Sequence, residues 1–341
     1  MTRGKTMIIL GIESSCDETS AAVVDMADGK RTILSNIVAS QIETHALYGG
    51  VVPEIAGRAH IEAVSGITYE SLETAGITMS DIDAIGVTNR PGLIGALLVG
   101  LSFGKSLAVS RGIPLVPVHH IRGHIAASYL AHAELEPPFL ALVVSGGHTS
   151  LIEVKDYTTF QTIGRTRDDA MGEAFDKVAR VMGIPYPGGA EMDRLASLGD
   201  PTAFAFPSAA IPDGSLDFSF SGLKTHVINL LHRYEQKGEP FPKEDIAASF
   251  TATVLHSVTK KLSVALASYP YRTLVLAGGV SANSHLRSAL QSYAEKNGLR
   301  FYVPPRSLCG DNAAMIAAQA YYECLAGHVA DASLNAFACG E

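Results

Sequence analysis

Three histidines within six residues, His119-His120-Ile121-Arg122-Gly123-His124, are the strongest chemical signal in this chain. Side chains four apart share one face of a helix. His120 and His124 can therefore offer two neutral imidazoles to one metal ion. A two-histidine protease helix needs a Glu directly after its first histidine as general base, and here that position is Ile121. The spacing points to a metal site without zinc-protease chemistry. A blander reading, in which the histidines cap or solvate a helix, stays open at this level.

Carboxylates can complete such a site. Asp311, in Cys309-Gly310-Asp311-Asn312-Ala313, precedes an Ala-rich helix, where the competing role is a helix N-cap. Asp168, Asp169, Glu173 and Asp176 read as one helical segment, with two of them free to face a ligand. Three turns look built for phosphate, because small residues follow a strand and successive backbone N–H groups can converge. They are Ser145-Gly146-Gly147, Gly278-Gly279-Val280-Ser281-Ala282-Asn283 at a strand-to-helix junction, and the turn holding Ser14, Ser15, Asp17, Glu18 and Thr19. Glycine lets the backbone approach an anion closely. One such turn is weak evidence, but three in a repeated frame point to a nucleotide. A P-loop is rejected: Gly100 to Ser106 has three residues between its glycines where four are required, and the segment reads as helix.

These residues need elements to hold them. Met7–Ile12, a polar turn and Ser20–Asp25 read as two strands. Phe139–Val144, the turn Ser145 to Thr149 and Ser150–Val154 repeat that plan in a later part of the chain. Short strands are expected at Ala84–Thr88, Leu115–Val118, Thr273–Ala277 and Arg300–Val303. Helices are expected near Arg58–Ala75, Ile94–Ser110, Asp168–Met182, Asp245–Ala267 and from about Ser281, with a loop from Asp200 to Gly222. The wiring is α/β with a duplicated unit and a cleft between the halves.

Composition agrees with two domains. The 341 residues are 47% hydrophobic and 18% charged, enough for large cores. The four cysteines are scattered, as reduced thiols are. The longest run free of Asp, Glu, Lys and Arg, Pro137 to Ile152, is shorter than the roughly 20 residues of a spanning helix. The expectation is a soluble, cytoplasmic protein with no membrane partner. A net charge of −8 argues against a surface broadly coated with nucleic acid, without excluding nucleic acid as substrate.

Together the motifs resemble the TsaD family, the tRNA N6-adenosine threonylcarbamoyltransferases once labelled glycoproteases. The resemblance runs from about Ile8 to Leu325. It is carried by GIESSCDETSAAVV at 11–24, YGGVVPEIAGRAH at 48–60, PVHHIRGH at 117–124 and LVVSGGHTSL at 142–151. DDAMGEAFDKVARVMGIPYPGG at 168–189, DFSFSGLKT at 217–225, AGGVSAN at 277–283 and CGDNAAMIA at 309–317 extend it. It implies the actin-like ATPase (ASKHA) superfold of two ribonuclease-H-like lobes, here 1–118 and 119–325, with a tail at 326–341 packing back on the first lobe. It implies transfer of threonylcarbamoyl from L-threonylcarbamoyladenylate to N6 of adenosine 37 in tRNAs reading ANN codons. By the same resemblance His120, His124 and Asp311 hold one divalent metal, Fe2+ ahead of Zn2+ or Mg2+. Val143, Val144, Ser145, Gly146, Gly147, Asp176, Gly189, Asp193 and Asn283 match positions contacting the adenylate or ATP. Asp17, Glu18 and His148 match polar residues of the catalytic site. A TsaB-like paralogue and a TsaE-like ATPase are the implied protein partners.

The chain departs from the family pattern at Asn89-Arg90-Pro91-Gly92-Leu93, where Arg90 adds a charge, and at Gly310 and Ala313 beside Asp311. A small-molecule kinase of the same superfold is the alternative function. Its dependence on carboxylate-held magnesium fits the paired histidines poorly. A protease is disfavoured by Ile121, and a non-catalytic scaffold would need neither metal ligands nor nucleotide turns.

Overall fold

The computed structural model describes residues 6–340. In chain order the first elements are β1 (Met7–Glu13), β2 (Glu18–Ala27), β3 (Lys30–Ser40), α1 (Ile42–Ala46) and α2 (Pro53–Ala75). They are followed by β4 (Ala84–Arg90), α3 (Ile94–Arg111), β5 (Leu115–His119) and α4 (His120–Ala131). Then come β6 (Phe139–Val144), β7 (Thr149–Val154), β8 (Phe160–Arg165), α5 (Met171–Val181), α6 (Gly189–Ala196), α7 (Ser221–Lys237) and α8 (Lys243–Ser268). The chain closes with β9 (Thr273–Ala277), α9 (Ser284–Asn297), β10 (Arg300–Tyr302) and α10 (Ala313–Leu325).

The strands form two sheets of the same wiring, β3-β2-β1-β4-β5 and β8-β7-β6-β9-β10. In each, the first strand pairs antiparallel with the second and parallel with the fourth. The repeat read from the sequence is thus a repeat of topology. The central strands β1, β6 and β9 are nearly continuous apolar runs, buried along their length, as strands covered on both faces must be. β3 and β8, at sheet edges and half exposed, were not foreseen, and neither was α7.

By internal contacts the chain falls into two units. One comprises Met1–Pro137, Lys155–Phe160 and Pro304–Glu341; the other comprises Pro138–Val154 and Gln161–Val303. This division differs from the lobes expected at 1–118 and 119–325, since residues 119–137 and 304–325 lie with the first sheet. The tail beyond 325 belongs to that unit too, and Ala330 bridges Leu115 at the start of β5.

The first unit is built around close approaches of α10. That helix is rich in alanine and its Ala313–Glu323 stretch is buried. Gly11 of β1, Gly86 of β4 and Gly123 of α4 face it. A methyl on Gly86 would stand 2.5 Å from Ala320 Cβ, and one on Gly123 would stand 2.7 Å from Ile316 Cδ1. A methyl on Gly11 would drive into the Ala313 carbonyl. Bare backbone against small side chains lets α10 sit close enough to bring its N-terminus to the end of β1. α3 is long and apolar enough by composition to cross a membrane, the sole such helix among the described residues. Its Ala96, Leu97, Gly100, Leu101, Gly104 and Ala108 are buried, with Gly100 against Ser14 and Gly104 against Val87. These are the glycines that mimic a P-loop; they serve helix-on-sheet packing.

The second unit has its own core. Leu140, Leu142 and Val144 of β6 pack with Phe175, Phe218, Phe220 and Phe250. Asp168 and Asp169 precede α5 rather than lie on it, which corrects the single acidic helix segment expected from 168 to 182.

Candidate metal centre and glycine turns

β5 runs without a loop into α4, so His119 ends the strand and His120 opens the helix. His120 is 5% exposed and His124, one turn on, is fully buried. Their rings meet edge to face with centroids 4.6 Å apart. Asp311 arrives from the N-terminal side of α10. The cap of that helix is Asn312, whose side-chain oxygen accepts the Met315 N–H at 3.1 Å. The cap role considered for Asp311 is therefore filled by its neighbour. Asp311 Oδ1 lies 3.2 Å from His124 Nε2 and 3.5 Å from His120 Nε2, and one donor atom from each of the three lies within 4.8 Å of the others.

The residues fit a divalent cation. Buried His124 Nε2 faces Asp311 Oδ1 without making a hydrogen bond, an expensive condition for an imidazole nitrogen that a cation held between the two relieves. Two imidazoles and a carboxylate are donors that Fe2+ and Zn2+ accept.

A second layer, drawn from the polar turn after β1 but not foreseen as backing the histidines, orients the first. His120 Nδ1 lies 3.1 Å from Glu13 Oε2 and 3.1 Å from Ser15 Oγ. Glu13 is fully buried at the end of β1 and accepts the Thr88 hydroxyl at 2.6 Å and the Ser15 N–H at 2.5 Å. A carboxylate behind a ligand histidine fixes its tautomer and raises its basicity. Burial pushes the Glu13 carboxyl up, but the His120 charge and hydrogen bond outweigh it and leave its pKa lowered. Burial likewise pushes His120 down, but Asp311 and Glu13 together raise it to about 9. The sequence signal for Glu13 was faint: one acidic residue closing an apolar strand.

Asp17 sits in the turn between β1 and β2, and Glu18 opens β2. Burial, then the Asp311 and Asp17 carboxylates, push Glu18 up to about 9. The turn is clamped by buried His60, whose Nδ1 lies 2.7 Å from Thr19 Oγ1 and whose Nε2 donates to the Cys16 carbonyl at 3.0 Å. His148 lies in the second unit.

There the turns gather at the carboxyl ends of the parallel neighbours β6 and β9, where Val143 pairs with Ala277. Val143 and Val144 end β6. Ser145 N–H donates to the His148 carbonyl at 2.8 Å, and His148 N–H returns to Ser145 Oγ at 3.1 Å. Gly172 of α5 touches this turn: a methyl there would lie 2.7 Å from the Ser145 carbonyl oxygen and 2.9 Å from Val280 Cγ2. Gly278, at φ +90°, packs on Val144. Gly146, Gly147, Gly189 and Gly279 differ, since a methyl on any of them would meet nothing within 4 Å. The protein's own packing does not demand glycine there.

One turn along α5 from Gly172, Asp176 Oδ1 accepts the N–H groups of Gly188 and Gly189 at 2.8 and 3.2 Å. Burial keeps its pKa above the usual carboxylate value. Asp193 and Asn283 both hold the start of α9. Asp193 accepts the Ser284 N–H at 3.1 Å, and Asn283 Oδ1 accepts that of Leu286 at 2.8 Å.

Two sheets of this order place the chain among the actin-like ATPase folds. Full-length HypF in its phosphate- and nucleotide-bound form superimposes with a TM-score of 0.63 at 15% identity. That match covers 95% of this chain but only 47% of HypF, so the chain spans about half of that protein. A ROK hexokinase from Thermus thermophilus gives 0.52 at 18% identity, covering 94% and 100%. At such identities the likeness is one of fold alone. Within that fold the chain belongs to the tRNA N6-adenosine threonylcarbamoyltransferase (TsaD) family, whose sequence profile matches residues 32–318. The Moorella thermoacetica protein of that name is 55% identical over 328 residues, covering 96% of this chain and 95% of its own. A Clostridium perfringens counterpart is 53% identical over 329 residues, covering 96% of each.

Proposed function

We propose that this chain transfers a threonylcarbamoyl group from L-threonylcarbamoyladenylate to N6 of adenosine 37 in tRNAs that read ANN codons. The observation that carries the reading is the His120–His124–Asp311 donor set, its histidines buried, in a chain whose relatives carry that transferase name. A kinase of the same fold would have little use for two imidazoles at its centre.

His120, His124 and Asp311 hold the divalent metal, with Fe2+ the first candidate. When bound there, the cation supplies Lewis-acid charge to an oxygen of the activated donor. Glu13 and Ser15 hold the His120 ring in place through Nδ1. In the second unit, Val143 to Gly147, Gly189 and Asn283 take the adenylate, with the open faces of Gly146, Gly147 and Gly189 giving its atoms access to the main chain. Asp176 and Asp193 shape that surface by holding the Gly188–Gly189 turn and the start of α9. Burial and the Asp311 and Asp17 carboxylates push the Glu18 carboxyl up, which favours a role as hydrogen-bond donor over one as base. Asp17 and His148 remain to take the proton of the attacking N6 amine. A TsaB-like paralogue and a TsaE-like ATPase are the proposed partners, and the cytoplasm, where tRNA is found, the proposed location.

The test is mass spectrometry of tRNA nucleosides from cells depleted of the protein and rescued by wild type or by His120→Ala/His124→Ala. Threonylcarbamoyladenosine lost on depletion and restored only by wild type is the expected result. Unchanged levels in depleted cells with no second gene copy would remove the transferase reading.

A further inference from the structure

The ligand helix is held from an unexpected direction. His119 is the N-cap of α4: its Nδ1 accepts the Ile121 N–H at 3.2 Å. Ser, Thr, Asp and Asn are the usual caps, and histidine adds something they lack, a second nitrogen on the far side of the ring. That Nε2 lies 3.1 Å from the carbonyl oxygen of Gly340. One neutral tautomer satisfies both contacts, with Nδ1 accepting and Nε2–H donating.

Gly340 ends a segment fastened along the first unit. The Ala330 N–H donates to the Leu115 carbonyl at 2.8 Å, and Lys105 Nζ donates to the Leu334 carbonyl. The Phe337 N–H donates to Asn89 O at 2.9 Å, and the Gly92 N–H donates to Ala338 O at 3.2 Å. Ala336 is 6% exposed. Arg90, the charge that departs from the family loop, lies along Gly340, where a methyl would stand 3.2 Å from its Cδ. The same loop presses on the metal centre from its other end. A methyl on Gly92 would stand 2.5 Å from Ser15 O, and the Leu93 N–H donates to that oxygen at 2.8 Å. Ser15 Oγ in turn touches His120 Nδ1.

We propose that the C-terminal segment 330–340 is a working part of the metal centre, fixing His119 and through it the first turn of α4, which opens with His120 and leads into His124. His119 is on this view a positioning residue, and the segment tunes metal affinity by deciding how well α4 is ordered before the cation arrives. The proposal rests on His120, His124 and Asp311 being the metal ligands.

The experiment measures Zn2+ affinity by chelator competition, and Fe2+ affinity under anaerobic conditions. It uses the full chain, His119→Ala, His119→Asn and a chain stopped after Asn335, with His120→Ala/His124→Ala as control. Tm of each metal-free protein and hydrogen exchange of the α4 first-turn amides are read alongside. Outer-shell partners of metal ligands are worth about 10–100-fold in affinity. His119→Ala and the shortened chain are expected to lose at least about tenfold, with faster exchange at Ile121 and little change in Tm. His119→Asn, which keeps a cap acceptor, should lose less. Unchanged affinity in both His119→Ala and the shortened chain would overturn the proposal. So would an affinity loss that only follows a fall in Tm, with His119→Asn no better than His119→Ala. A wild-type chain that bound neither metal would instead overturn the ligand assignment, and this proposal with it.

Discussion

The two units share one strand order and use it in opposite ways. In the first, strand ends carry side chains, Glu13, Ser15 and His120, joined by Asp311 from just before α10. The glycines nearby (Gly11, Gly86, Gly92, Gly123) are consumed by packing. In the second, the strand ends carry glycines whose Cβ positions open on empty space: Gly146, Gly147 and Gly279. A small cation needs donors converging within a few ångströms, so backbone must come close to backbone and side chains must be locked from behind. A nucleotide-sized ligand needs main chain left uncovered. On the proposed assignment one topology serves both, because a parallel strand end is a fixed platform and the residue type placed on it decides what it can hold.

That contrast can be broken by substitution, most severely at the donor set. Asp311→Ala or His124→Ala is expected to strip the metal and lower tRNA modification by more than the 10–100-fold typical of outer-shell changes. Metal analysis of the purified protein and nucleoside mass spectrometry check it. Glu13→Gln should cost about 10–100-fold in metal affinity with the ligands intact, measured by chelator competition. An unchanged affinity would mean that Glu13 serves the fold alone.

The glycines sharpen the comparison most directly. Gly172→Ala should destabilise by about 1–3 kcal/mol, because its methyl meets Ser145, Gly146 and Val280. Gly147→Ala should leave stability within about 0.5 kcal/mol and raise the Km for the adenylate donor. Urea unfolding with steady-state kinetics separates the two, and a Gly147→Ala enzyme with wild-type Km would contradict the assignment of that turn.

The smallest effect concerns Asp168. It accepts hydrogen bonds from the Phe220 N–H at 2.8 Å and from Ser221 Oγ at 2.8 Å, and a further one from Ser219 Oγ, tying the approach to α5 to the start of α7. Burial raises its pKa, but those hydrogen bonds outweigh it and leave the value lowered. A lowered folded-state pKa means stabilisation that is complete above the ordinary value of about 3.9 and lost as pH falls through the folded one. The group is exposed, so Asp168→Asn should cost only about 0.5–1 kcal/mol at pH 7. The difference from wild type should shrink in acid, as thermal melts between pH 7 and 3 would record.

Much of this was legible in residue types. The helical spacing of His120 and His124, the duplicated strand–turn–strand plan and the glycine turns all stand in the sequence, because spacing along a helix or strand maps directly onto a face. Pairings across hundreds of residues do not. Glu13 gives no local sign that it backs His120, and the cap of α10 falls on Asn312 rather than Asp311 by a single register step. β3 escaped notice because an edge strand with one wet face, Lys30–Ser40, lacks the apolar run of β1. The two units differ from the lobes read at 1–118 and 119–325 because α10 meets the first sheet through Gly11 and Gly86 against Ala313, Ala317 and Ala320, and α4 meets α10 through Gly123 at Ile316, contacts that no linker composition announces.

The placement of Asp311 also sets a timetable for the newborn chain. His120 and His124 are made early, but their carboxylate partner follows His120 by 191 residues, after the whole second unit. At about 5–20 residues per second the ribosome takes roughly 10–40 s to cover that distance. Until then the imidazoles have no third ligand and no α10 to cover them. On the proposed ligand assignment, loading by all three ligands therefore waits until Asp311 has been made.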